Sequence, residues 1–338
     1  MKKSHCSRRD FLNCLGISLF SAFKLAKSRP SLSTHQEIKL LPPRPSLSSL
    51  ALGQSRSRVI IVEGRDIQSL VWRGLEALGL PQDYFRDKRV IIKPNSHWSE
   101  EYPSTTDPSS ILPIIDFLRQ RTSGNITVAD GSGKDLPSYR AAFDFIGFEK
   151  ILAPKGADIV PLDIWKLDDF ITIRSPQWSV LEAVAVHRLI YNTPILISLT
   201  CLKRHGSPHL TAALKSNVGA TCARSRYYLH FYTREKMREA IAEVADAVRP
   251  EITIIDARDI LVKKGPMFLP DKANLKKGVN KLLISTDPAA LDRIASQVMA
   301  EHDETFRFEQ FKPTLDHASR MKLGNVDLDY INVVNLKA

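Results

Sequence analysis

The chain has 338 residues and carries 48 Lys/Arg against 37 Asp/Glu, a formal charge of +11, but seven of the basic residues and one Asp fall in residues 1–30, leaving only +5 for the rest. With no basic stripe interleaved with aromatics in the body, that residual charge argues against a nucleic-acid partner. Four cysteines without any Cys-x-x-Cys exclude a thiolate zinc site and a ferredoxin-type cluster.

Residues 1–30 open with Lys2 and Lys3, then run Ser7-Arg8-Arg9-Asp10-Phe11-Leu12 into an apolar stretch ending at Phe23, with Lys24 and Lys27 behind it. The stretch is shorter than the ~20 residues of a stable membrane span. This pattern resembles a twin-arginine export signal, which implies an exported, periplasmic or otherwise extracytoplasmic protein and the twin-arginine machinery as a partner. No Ala-x-Ala cleavage site follows, so an uncleaved N-terminal anchor stays open as the one membrane contact. Export would allow Cys201 and Cys222 to pair, although both also suit the interior as small hydrophobes. Residues 31–57 are rich in Ser, Pro and Arg, and read as a linker too polar to bury a core.

The body, residues 58–338, is long enough for one large domain or two tightly joined halves. Val59–Val62 predicts a strand, and Asp66 an N-cap for a helix with Leu70, Val71, Leu75 and Leu78 on one face and Gly79 at its end. Val90–Ile92 predicts a second strand, which Pro94 stops, so Lys93, Asn95 and His97 stand at its carboxyl end. Thr106-Asp107-Pro108 is a helix start. Strand Ile126–Ala129 then delivers Asp130-Gly131-Ser132-Gly133-Lys134. A phosphate-binding loop of the Walker type needs Gly where Val128 stands and Ser or Thr where Asp135 stands, so nucleotide hydrolysis is excluded.

Further strands are expected at Ile159-Val160, Phe170–Ile173 and Val184–Val186, within a continued alternation with helices. The apolar run Ile195–Thr200 predicts a buried strand leading to Lys203, His205, His209, Lys215 and Asn217 in a polar loop. Arg224-Ser225-Arg226-Tyr227-Tyr228 reads as the start of a solvated helix. A helix from Thr233 to about Val248 follows, then strand Ile252–Ile255 ending at Asp256, strand Leu282–Ser285 running into Thr286-Asp287-Pro288, and a last strand at Tyr330–Val334. Between Glu301 and that strand the charge density hides any pattern.

The alternation predicts an α/β fold, a mainly parallel sheet with helices on both faces. Ligands of such sheets bind at strand carboxyl ends, which would collect Lys93, Asn95, Asp130, Ser132, Lys203, Asn217 and Asp256 in one polar cleft for a small anionic ligand. His205 and Lys215 are the candidate catalytic residues, an acid or base and an anion or cofactor anchor. His205, His209, His230 and Asp107 offer ligands for a divalent metal. Each histidine has a structural role as the alternative.

Several of these pieces, in order, resemble the core motifs of the domain-of-unknown-function 362 family. They are Lys93-Pro94-Asn95, Thr106-Asp107-Pro108, Ala129-Asp130-Gly131-Ser132, Lys203-x-His205 with Leu214-Lys215-x-x-x-Gly219, Ile255-Asp256-Ala257, Gly265-Pro266, and Thr286-Asp287-Pro288 with Leu291-Asp292. The resemblance implies a fold and a set of polar positions without a settled reaction. Members that carry a ferredoxin module differ from this chain. The interval from His205 to Lys215 also resembles that of nickel-pincer lactate racemases, which implies a 2-hydroxy-acid racemase or epimerase with Lys215 bearing the cofactor. The flanking glycine pair and the following Pro-Gly of that pattern are missing here, and Ser216 stands where the 362 family usually has Asn. An enzyme with a metal or a preloaded cofactor, and a non-catalytic ligand-binding or metal-centre assembly protein, are both open on this sequence.

Overall fold

The structure, a computed structural model, describes residues 40–46, 56–96, 100–131, 144, 146–162, 167–231 and 233–338. The expected export signal and most of the linker lie outside these residues, as do His97 and Ser132. Among the described residues no helix is long and apolar enough to cross a membrane.

In chain order the elements are β1 (Ser57–Glu63), α1 (Ile67–Ala77), β2 (Val90–Lys93), α2 (Pro108–Arg119), β3 (Ile126–Asp130), α3 (Phe148–Leu152), β4 (Asp158–Pro161), β5 (Phe170–Ile173), β6 (Val184–His187) and α4 (Arg188–Tyr191). Then come β7 (Ile195–Arg204), β8 (Leu210–Thr211), α5 (Ala213–Ser216), α6 (Ala223–Phe231), α7 (Met237–Val248), β9 (Ile252–Leu261), β10 (Leu275–Lys276), β11 (Lys281–Ser285), α8 (Pro288–His302), α9 (Phe308–Arg320) and β12 (Ile331–Lys337). One ten-stranded mixed sheet runs β12-β1-β11-β9-β7-β2-β3-β4, with β10 on β9 and β8 on β7. The neighbours β9-β7-β2-β3-β4 are parallel throughout, while β11 lies antiparallel to both β1 and β9.

Alternating side chains of the strands feed two cores, one on each face. Ile60, Val62, Ile92, Ile197 and Ile254 pack under α1 and α2, and Val59, Ile91, Leu196 and Ile255 pack under α5, α7, α8 and α9. A strand buried on both faces reads as a continuous apolar run, and β7 has all ten residues buried. The expected α/β class, mainly parallel with helices on both faces, is the class observed.

The departures have physical causes. β5 and β6 pair antiparallel with each other in a separate two-stranded sheet, because a strand pattern specifies an element and not its partner. β9 continues six residues past Ile255, so Asp256 is the fifth residue of a ten-residue strand and does not end it. α9 escapes the sequence pattern because its mean hydropathy is low, yet Phe311, Leu315 and Ala318 are buried along one face.

Part of the segment expected as linker belongs to the body. Leu41 bridges Ile173. Arg44, 1% exposed, grips the Glu251 carboxylate with two nitrogens at 2.9 and 2.8 Å and donates to the carbonyls of Arg249 and Thr193. Cys201 and Cys222 are both free thiols: Cys201 is buried with its sulfur 3.4 Å from the Thr105 carbonyl, and Cys222 lies against Ser225.

Candidate functional site

β2, β3 and β7 are parallel neighbours, so their carboxyl ends open on the same edge. Lys93 pairs with Ser198 in register, and β7 extends six residues beyond that point. The overhang carries Lys203 above the end of β2, where its ammonium donates to the Ser104 carbonyl and, at 3.2 Å, to Asn95 Oδ1. At the end of β2 itself, fully buried Lys93 forms an ion pair with Asp130 of β3 at 2.7 Å. Its other protons go to the carbonyls of Ser216 at 2.7 Å and Pro94 at 3.1 Å. Asp130 accepts in addition from the backbone and hydroxyl of Ser96. A buried charge is tolerated when it is paired and hydrogen-bonded, and this pair meets both conditions.

Over this pair lies the segment from Leu210 to Phe231. Gly219 passes so close that a Cβ there would collide with Asp130 Oδ1 and stand 3.0 Å from Lys93 Nζ. Its carbonyl accepts the Gly131 N–H at 3.0 Å. The glycine of the Leu-Lys-x-x-x-Gly motif is therefore a point of contact between the short helical segment and the ends of β2 and β3. α5 is fixed at its start by Asp292 of α8, which accepts the N–H groups of Ala213 at 2.5 Å and Leu214 at 3.1 Å. Burial pushes the Asp292 carboxyl up to about 7 despite those two bonds.

The result is a cavity of about 230 Å³ whose lining includes Lys93, Asn95, Asp130, His205, Lys215 and Arg226, with His230 and Met267 also on the wall. Lys215 is its distinctive member. Burial, then the charges of Lys203 and Lys93, pull its ammonium down to about 7, with Arg226 adding to the effect and Asp130 opposing it. Burial likewise lowers Lys203 to about 8. Among the described residues the Lys215 amine has no hydrogen bond or ion pair. Lys93 and Lys203, in contrast, are tied to the fold.

Of the residues singled out from the sequence, Lys93, Asn95, Asp130, His205, Lys215 and His230 line this cavity, and Lys203 stands behind it. Asp256 does not join them: its carboxylate is consumed by Tyr102, Ser110 and Arg258. Asn217 is fully buried and donates to the carbonyls of Ala213 and Leu214, closing α5 from below. Asp107 caps α2 and meets Arg258, while His209 sits in the turn after β7 at φ 65°, outside the cavity lining. Of the four residues considered as metal ligands, His205 and His230 share the cavity wall, while Asp107 and His209 lie outside it. Among the described residues no group of three or more His, Cys, Asp or Glu side chains is placed to hold a metal ion.

Arg226 is the functional candidate that the sequence conceals. Within a run that reads as a solvated helix start, it is 3% exposed and donates to the Thr221 carbonyl. Its spacing to His230 is the available signal, since residues four apart share a helix face and both line the cavity.

Fold and site together define an α/β protein with a cationic cleft at the carboxyl ends of parallel strands. The match over residues 90–297 to the family described as Domain of unknown function (DUF362) covers more than half of the chain, and the chain belongs to that family. No curated protein matches it. Among solved structures, the lactate racemase apoprotein from Thermoanaerobacterium thermosaccharolyticum is similar at a TM-score of 0.46 and 13% identity, over 69% of this chain and 55% of that one. The chain thus spans little more than half the length of that protein.

Proposed function

We propose that the cleft binds a small organic anion, with Lys215 as the group that meets it. The observation that carries this reading is the state of Lys215: among the described residues its amine faces a cavity, has no partner, and is surrounded by Lys93, Lys203 and Arg226, with the Asp130 carboxylate opposing them. An anion placed there relieves the repulsion among the cations and restores the proton to Lys215. Lys93, Lys203, Asp130 and Arg226 are buried, so each interaction counts for more than it does at the surface.

An anion-binding cleft is compatible with an enzyme or with a carrier. Turnover separates the two. We further propose, from Arg8-Arg9 and the short apolar run behind them, that the protein acts outside the cytoplasm after twin-arginine export.

The anion reading is tested by calorimetric titration of the protein with acetate, pyruvate and inorganic phosphate, each against a neutral analogue of similar size. Saturable binding of an anion, lost in Arg226→Ala and Lys215→Ala while the fold is retained, is the expected result. Equal affinity for the neutral analogues would overturn it.

A further inference from the structure

We infer that Lys215 is a nucleophilic amine that forms an imine with the carbonyl group of a small oxo acid. The inference rests on the anion-binding reading and goes beyond it by naming the electrophile.

Three lysines meet near the cleft, and their bonding separates their roles. The Lys93 ammonium has three acceptors, Asp130, Ser216 O and Pro94 O, so all of its protons are engaged. Lys203 is held by Ser104 O and Asn95 Oδ1. Lys215 has no such bonds among the described residues, and it lines the cavity. Its backbone is nevertheless held from both sides, by Asp292 at the start of α5 and by the Asn217 amide beneath it. An unengaged amine on a fixed backbone is what a nucleophile needs, because little ordering remains to be done at the moment of attack. Before an anion binds, desolvation and neighbouring cations keep a large fraction of the amine unprotonated near neutral pH; the bound carboxylate returns a proton to part of it, and the unprotonated remainder is the form that attacks carbonyl carbon. The basic side chains of the lining select the substrate: Lys93 and Arg226 favour a carbonyl compound that carries a carboxylate.

The step balances without an oxidant or reductant. The lone pair of Lys215 Nζ forms a bond to the carbonyl carbon while the carbon–oxygen π pair moves onto oxygen. The amine then gives up its protons, the oxygen leaves as water, and a carbon–nitrogen double bond remains. His230 lines the same cavity, with its Nδ1 2.7 Å from the Arg226 carbonyl.

The test is reductive trapping. The full chain is incubated with pyruvate or glyoxylate, and in parallel with neutral propanal, and each sample is treated with cyanoborohydride and read by intact mass and peptide mapping. Anion binding to the untreated protein is measured separately. One reduced adduct at Lys215, formed faster with the oxo acids than with propanal and absent from Lys215→Arg, is expected. Anion binding without an adduct, or adducts shared equally with surface lysines such as Lys263 and Lys264, would overturn the imine and leave the binding reading intact. An adduct at Lys215 that forms equally fast with propanal, in a protein that binds no anion, would overturn the oxo-acid assignment together with that reading.

Discussion

Asp292 and Ala213 are joined across 79 positions of sequence by a carboxylate-to-amide hydrogen bond of 2.5 Å. Asp292 thereby caps, from another helix, the short helix that carries Lys215. A capping side chain replaced by Ala costs about 0.5–2 kcal/mol. Asp292→Ala should lower the Tm accordingly and should also weaken anion binding more than the stability loss explains. Asp292→Asn, which retains one acceptor, should recover most of the Tm. Calorimetry and thermal melts on both variants check this.

Gly219→Ala is expected to disturb the Lys93–Asp130 pair, because the added methyl would occupy the space of Asp130 Oδ1. Overpacking of an interior typically costs about 1–3 kcal/mol. Urea denaturation should show a loss in that range, and the variant should bind anions poorly. A fully stable, fully binding variant would contradict the close approach.

The Arg44–Glu251 contact makes residues 40–46 part of the folded body. Removing one member of a buried ion pair costs about 3–5 kcal/mol. Arg44→Ala, or truncation before Pro45, should therefore destabilise the protein by about that amount in chemical denaturation.

The export proposal predicts that Arg8→Lys with Arg9→Lys retains a folded fluorescent reporter in the cytoplasm, while the unaltered leader carries it out. Fractionation of cells expressing the two fusions reads the difference. Unchanged export of the double variant would refute the route.

The parts of the fold legible in the sequence are those set by local pattern. β2, β3 and β7 announce themselves as short apolar runs, and Asp66, Asp107 and Asp287 as N-caps, because each device is complete within a few residues. Lys93 and Asp130 were legible as cleft residues for the same reason: each ends a strand. What escaped depends on partners distant in sequence. Arg44 lies in a Ser- and Pro-rich stretch and is buried only because Glu251 waits 207 positions later. Arg226 sits among Arg224, Tyr227 and Tyr228, and its four-residue spacing to His230 is too weak a local signal to say which of these side chains turns inward. Asp256 reads as a cleft residue only if its strand stops there, but Arg258, Tyr102 and Ser110 satisfy its carboxylate within a strand that continues.

Lys215 is a cavity amine with no partner among the described residues, proposed to be reprotonated by a bound anion, and its own titration tests this most directly. Because the folded-state value, about 7, lies below the usual lysine range near ~10.4, the unfolded chain binds more protons between those limits. Stability should therefore rise with pH across that window through this group, and Lys215→Met should flatten the rise. Anion affinity should move the opposite way and fall as pH rises above about 7, since the charged form binds better. In carbon-13 NMR of the reductively methylated protein, one lysine resonance, absent from Lys215→Arg, should titrate near neutrality and shift to higher pH on saturation with anion. A Lys215 resonance that titrates with the surface lysines and ignores the anion would contradict the account.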